Sequence, residues 1–398
     1  MTHELLTPVP LSPALLRGAL ELEHTERGAL PHRLPGWARA QNTDPQLAMV
    51  ESQSSGVRIA LRTAATTLEL ETWRTRRAYS GVPPRPDGVI ELVHDGAVIG
   101  HSVTAGGATT TIDLRTGAVE RAADRTHIAR FAELPAGVKD LEIWLPHNER
   151  TELVELRSNA PVEPVASALP VWMHHGSSIS QGSNATHPTG IWPAVAARLA
   201  EVQLVNLGFG GSALLDAFVA RSIRDAPADA ISLELGINLV NTDLMRLRAF
   251  GPAVHGFLDT IREGHPTTPL VVISPLSCPI HERTPGPGAF DPDALKQGIV
   301  RFRATGDPTE TAGGKLTLEV IRMELERIVA ERAASDPHLH LLDGQELYGV
   351  EDAQEHPLPD ALHPDAETHQ IIGERFAALA AARALGPFHA ATDQAHHD

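Results

Sequence analysis

Four short stretches of this chain hold residue types that together could cleave an ester. The first is Gly176-Ser177-Ser178-Ile179-Ser180-Gln181-Gly182. A serine in such a small-residue turn can project its hydroxyl outward while its own N–H faces a reacting carbonyl. The second is Asn206-Leu207-Gly208-Phe209-Gly210-Gly211-Ser212, where missing Cβ atoms let a backbone N–H approach a ligand. The third, Glu234-Leu235-Gly236-Ile237-Asn238-Leu239, offers an asparagine amide to a developing negative charge. The fourth is Asp360-Ala361-Leu362-His363-Pro364. Its spacing brings a carboxylate and an imidazole onto one side of a turn. The carboxylate can then hold the ring in the tautomer whose far nitrogen takes a serine proton. Pro364 suits the first turn of a helix, which puts His363 at the helix mouth.

Each stretch alone also reads as an ordinary turn or helix cap. Their order along the chain is the stronger argument. Short apolar runs at 170–174, 202–205, 230–235, 270–273 and 339–342 alternate with helical patterns at 192–199, 244–261, 316–334 and 364–385. In the last of these, Ile372, Phe376 and Leu379 recur on one helical face. Five strands alternating with helices predict a parallel sheet covered on both sides. Reacting groups in such sheets gather at the carboxyl ends of the strands. The Ser, Gly and Asn stretches close three successive strands, and Asp-x-x-His follows the fifth, so one cleft would collect all four.

The first part of the chain is written differently. Residues 57–62, 67–73, 89–94, 110–114, 141–146 and 153–156 alternate apolar and polar positions, and Asp95-Gly96 is a hairpin signal. Many short alternating strands predict a β-sandwich or jelly-roll. The expected organisation is an N-terminal extension over 1–45, a β-domain over 46–165 and an α/β domain over 166–390, with 160–165 as a proline-bearing linker.

Composition excludes several classes. The net charge of −17, with no basic run to offset it, disfavours nucleic acid and anionic membrane as partners. The one cysteine, Cys278, cannot make an internal disulfide and reads as a buried or loop thiol. Residues 1–8 lack a basic and then apolar leader, and no stretch has the roughly 18 apolar residues of a membrane span. The expectation is cytoplasmic residence. The chain has 21 histidines, yet neither His174-His175 nor His396-His397 has the spacing of a zinc motif, so no metal and no cofactor is expected. His175, next to the serine turn, is a candidate pocket residue.

Residues 170–385 resemble the SGNH (GDSL-type) hydrolase superfamily, whose blocks contribute Ser, Gly, Asn and His. The resemblance puts Ser178 in the nucleophile place, with Asp360 and His363 completing the catalytic set. It puts the Ser178 N–H, Gly211 and Asn238 around the oxyanion, and implies a three-layer α/β/α sandwich with a five-stranded parallel sheet. Ser177 stands where the pattern has Asp, and Leu239 replaces the Asp that usually follows the asparagine. The resemblance is nearest to a bacterial branch with a β-rich domain before the hydrolase, which includes carbohydrate deacetylases. The expected activity is removal of acetyl or other short acyl groups from a carbohydrate or small molecule. A general short-chain esterase or lipase, or a non-catalytic carbohydrate-binding protein, are the alternatives. A Pro- and Gly-rich insertion at 281–313 suggests a flap over the acyl pocket or a contact in a homo-oligomer.

Overall fold

Apolar alternation in the first part of the chain produces two twisted sheets with one core between them. The computed structural model describes residues 5–113 and 116–388. Leu114 of one expected strand, residues 1–4 of the leader reading and the His396-His397 pair lie outside these. The described chain forms two compact units: residues 5–36, 48–168 and 186–189 in the first, and 37–47, 169–185 and 190–388 in the second.

The first unit is a β-sandwich of an eight-stranded and a six-stranded sheet. Leu68, Leu70, Phe131, Leu153 and Leu156 from one sheet share a buried cluster with Ile59, Leu61, Ile90, Leu92, Leu141 and Ile143 from the other. In the long strand Leu68–Tyr79 buried and half-buried residues alternate over the first eight positions, the period-two pattern of a face on a core. Asp95 and Gly96 both have positive φ and close the turn between Val89–His94 and Ala97–Val103.

Two expectations change here. Residues 5–36 are not a separate extension. Thr7–Val9 pairs with Arg150–Ser158, Leu16–Arg17 pairs with Arg58–Thr63, and Glu21–His24 pairs with Ala29–His32. Strands of two to four residues are too short to show a period in sequence. The expected linker also contributes: Val162–Pro164 adds an edge strand beside Arg58–Thr63. Proline is compatible with an edge, where its missing N–H breaks no ladder bond.

The second unit is the expected α/β/α layering. Its parallel strands are β1 (Val171–Gly176), β2 (Gln203–Gly208), β3 (Ala230–Glu234), β4 (Leu270–Ile273) and β5 (Leu339–Leu342), in the order β2-β1-β3-β4-β5. The main helices are α1 (Ser178–Gln181), α2 (Trp192–Leu199), α3 (Ala217–Asp225), α4 (Ile237–Asn241), α5 (Leu247–Gly264), α6 (Leu318–Arg332) and α7 (Ala366–Ala382). Helices α2 and α7 pack together, as do α3 and α5. Trp172 stacks on Phe376 of α7 at 4.9 Å, while His175 on the other face of β1 stacks on Phe257 of α5 at 5.8 Å. Strand order reverses around β1, which makes the ends of β1, β2 and β3 the natural crevice of the sheet.

Helix α7 begins later than expected. Asp365 caps it by accepting from Thr368 N–H at 2.9 Å, so Pro364 precedes the cap rather than opening the first turn.

Candidate active site

From 172 to 182 every residue is buried except Ser178, which is half-exposed. The turn that presents it is capped by Ser177, whose Oγ accepts from Ile179 N–H at 3.2 Å. Gly182, with φ 106°, ends the one-turn helix α1. Ser178 Oγ lies 2.9 Å from His363 Nε2, and His363 Nδ1 lies 2.8 Å from Asp360 Oδ2. Serine, imidazole and carboxylate thus form one hydrogen-bonded line.

Asp360 is held by its own backbone. Its Oδ1 accepts from Leu362 N–H at 3.0 Å and His363 N–H at 2.7 Å, a local turn made possible by Ala361 at φ 68°. Asn184 Nδ2 donates to Oδ2 at 3.3 Å. Burial pushes the Asp360 carboxyl up, but the bonds and charge of His363 and the two backbone N–H groups outweigh it, lowering its pKa to about 2. The group is therefore a carboxylate at ordinary pH, and an acceptor only. His363 Nδ1 must carry the proton in that contact, leaving Nε2 to accept from Ser178.

The glycine stretch lies against the serine. A Cβ on Gly210 would stand 3.4 Å from Ser178 Cβ. Gly210 N–H is taken by Gln181 Oε1 at 2.7 Å. Among the described residues, the N–H groups of Gly211 and Ser178 meet no acceptor. Gly211 has φ 76°, a backbone that favours glycine. Asn238, buried on α4, accepts from Ala213 N–H through Oδ1 at 3.1 Å. That contact assigns the amide orientation and leaves Nδ2 as the donating end. The arrangement can bind a developing oxyanion beside a serine whose proton has a base to go to.

His175 does not join this group. Alternate residues of a strand face opposite sides of the sheet, and His175 is buried with Nδ1 2.8 Å from the Leu207 carbonyl, its ring between Phe209 and Phe257. Leu239, in place of an Asp, is buried as an apolar residue. Cys278 is buried, with its thiol pushed up to about 12 chiefly by desolvation. Among the described residues no group of three or more His, Cys, Asp and Glu side chains could hold a metal ion, and no helix is long and apolar enough to cross a membrane.

Sequence reasoning missed four contributors. Phe302, in the insertion, donates its N–H to the Asp360 carbonyl at 2.8 Å and sets its ring edge-on to His363 at 5.6 Å. It stacks on Phe290 across the small hairpin Gly288–Phe290/Phe302–Ala304. Two phenylalanines in a Pro- and Gly-rich loop were the available signal. Gln46 donates to the Gly210 carbonyl at 2.9 Å, and Asp44 accepts from Ser212 Oγ at 3.4 Å. Nothing in the local sequence links residues 37–47 to a strand end more than 160 positions later. The fourth is Glu234, a charged residue closing a mostly apolar strand, whose Oε2 accepts from Ser177 N–H at 2.7 Å.

Residues 170–280 match the model of the GDSL-like lipase/acylhydrolase family. A salicylyl-acyltransferase, SsfX3, from a tetracycline biosynthetic pathway is similar at 27% identity and TM-score 0.79, with 96% of this chain and 99% of that chain covered. A candidate GDSL-like lipase from Bacteroides ovatus is 19% identical at TM-score 0.65, covering 97% and 100%. A family two carbohydrate esterase from Clostridium thermocellum, solved with cellohexaose, is 13% identical at TM-score 0.54, covering 83% and 93%. These last two likenesses are of fold. No curated protein matches the sequence significantly.

Proposed function

We propose that this chain, whose second unit is an SGNH (GDSL-type) hydrolase domain with an acyl-transferring or esterase activity, works through an acyl-enzyme on Ser178. The observation that carries the reading is the hydrogen-bonded line Ser178–His363–Asp360 at the one half-exposed position of the β1–α1 turn. Ser178 Oγ attacks an ester carbonyl as His363 Nε2 takes its proton. Asp360 keeps the ring oriented and stabilises the imidazolium that forms. The oxyanion is met by the Ser178 and Gly211 N–H groups and the Asn238 amide. His363 then returns its proton to the leaving alcohol, and a water activated by His363 releases the acyl group.

The substrate reading is a short acyl ester, acetyl foremost, of a carbohydrate or other small hydroxylated molecule. Hydrolysis of p-nitrophenyl acetate by the wild type and by Ser178→Ala tests the nucleophile; equal rates would sink it. Acetylated sugars compared with long-chain esters test the substrate, and preference for long chains would overturn that part.

A second reading has its own support. The 27% identity to a salicylyl-acyltransferase extends over nearly the whole of both chains. On this reading the second step delivers the acyl group to a small-molecule hydroxyl in place of water. Adding alcohols to the ester assay distinguishes the two: transfer predicts a new ester at the expense of free acid, hydrolysis an unchanged yield of acid.

A further inference from the structure

Beneath the nucleophile turn runs a buried row of polar side chains that the proposed reaction does not use. Trp172 and His174 of β1 and Ser232 and Glu234 of β3 share one face of the sheet. Trp172 Nε1 donates to Ser232 Oγ at 2.8 Å, and Ser232 Oγ lies 2.7 Å from His174 Nδ1. His174 Nε2 lies 2.7 Å from Ser180 Oγ, which lies 3.2 Å from Glu234 Oε2. The same carboxylate oxygen receives Ser177 N–H at 2.7 Å. All six residues are buried.

Proton counting gives the row a direction. Burial, with a smaller push from His175, lowers the His174 pKa well below its usual value, so the ring is neutral with one N–H. Glu234 Oε2 already accepts Ser177 N–H and accepts the Ser180 hydroxyl as well, so Ser180 in turn accepts from His174 Nε2–H. Nδ1 then accepts from Ser232, whose oxygen accepts from Trp172. Every donor meets an acceptor, from the indole to the carboxylate. Burial raises the Glu234 pKa, while the Ser177 N–H and the Ser177 and Ser180 hydroxyls oppose that rise.

We propose that Glu234 is the positioning residue of the nucleophile turn, fixing the Ser177 peptide and through it the direction of the Ser178 N–H and Oγ. The inference rests on the acyl-enzyme reading above. Ser177 stands where the SGNH pattern has an acid, and here a carboxylate reaches the turn from the neighbouring strand instead. Gly176 makes room for it: a Cβ there would lie 2.3 Å from Ser180 Oγ and 2.7 Å from Glu234 Oε2. An apolar side chain of similar size would fill the space without the cost of desolvating a carboxylate. What it could not do is hold the Ser177 N–H.

The test uses the full chain with Glu234→Leu and Glu234→Gln. Gln keeps an acceptor for Ser177 N–H but offers Ser180 a donor, against the direction of the row. On p-nitrophenyl acetate, kcat is expected to fall about a hundredfold in the Leu variant and about tenfold in Gln, on the scale of losing one oxyanion donor, with KM within about twofold. Labelling of Ser178 by a fluorophosphonate, located by peptide mapping, is expected to slow in parallel. Circular dichroism establishes that each variant is folded; if Leu does not fold, Gln decides. A folded Gln variant with wild-type kcat and labelling rate, or a loss confined to KM, overturns the role of Glu234. A wild type that takes no label at Ser178 overturns the acyl-enzyme reading itself.

Discussion

Both units bury a line of charged and polar side chains, and the two lines end differently. In the β-sandwich, Arg74 is held by Asp87 at 2.7 Å, Glu149 at 3.0 Å, and the Thr104 and Gly106 carbonyls. Glu149 in turn accepts from Gly88 N–H and Thr104 Oγ1. That line closes in an ion pair at the surface, between Asp87 and Arg76. In the α/β unit, Asp360 and His363 lead to a half-exposed hydroxyl, flanked by two N–H groups without an acceptor among the described residues. Burial and charge alone therefore do not mark a reactive site. What sets the proposed site apart is donors left open beside an accessible hydroxyl that has a base within reach.

The sharpest way to break this comparison is at the open line. Ser178→Ala is expected to lower kcat for p-nitrophenyl acetate by at least about a thousandfold, with stability little changed. Asn238→Ala should lower kcat by about a hundredfold with KM nearly constant, since an oxyanion donor acts mainly in the transition state. At the closed line the currency is different. Glu149→Ala leaves Arg74 on Asp87 and two carbonyls but takes the acceptor from the buried Gly88 N–H, and is expected to cost about 2 kcal/mol in urea unfolding. Fluorophosphonate labelling per folded molecule should stay at the wild-type rate; a matching loss would erase the distinction between the two lines.

Smaller effects sharpen the picture. Phe302→Ala removes the ring edge against His363 and should lower kcat/KM by about threefold to tenfold, the value of one edge-to-face contact. Competing acetyl and aromatic esters would show whether the loss depends on the acyl group. Acid titration probes the same line through stability. The Asp360 pKa is depressed when folded, so its stabilisation is complete above the unfolded value of about 3.9. It is lost only as pH falls toward about 2. Replacing Asp360 by Asn should flatten unfolding free energy against pH within that window and leave the slope above it unchanged.

Much of this was legible in sequence because it is local. The period-two run at 67–73 and the turn Asp95-Gly96 report a face and a bend within a few residues, whereas 89–94, looser in its alternation, is buried at four successive positions. Strand-closing stretches located a serine, a glycine and an asparagine position, the family resemblance selected Ser178, Gly211 and Asn238 within them, and Asp360 and His363 are close enough in sequence to read as a pair. What stayed hidden depends on pairing across the chain. The strands within residues 7–32 are too short to show a period, and their partners lie up to about 150 residues away. His175 looked like a pocket residue because it neighbours the turn, but strand alternation sends it to the opposite face from His174. Glu234 was in view as part of a motif, yet only its contact with Ser177 N–H shows which neighbour it serves.

The allotment of residues 37–47 has a consequence at the level of the gene. This segment is encoded ahead of most of the β-sandwich, yet Gln46 bonds the Gly210 carbonyl in the turn that holds Gly211. A reading frame opened at codon 166 would specify the whole parallel sheet and all four chemical stretches while omitting that contact. The second unit is thus not one continuous stretch of the coding sequence. Any exchange of its β-rich companion would have to preserve an interior island of about a dozen codons, which ties the inheritance of the two units together.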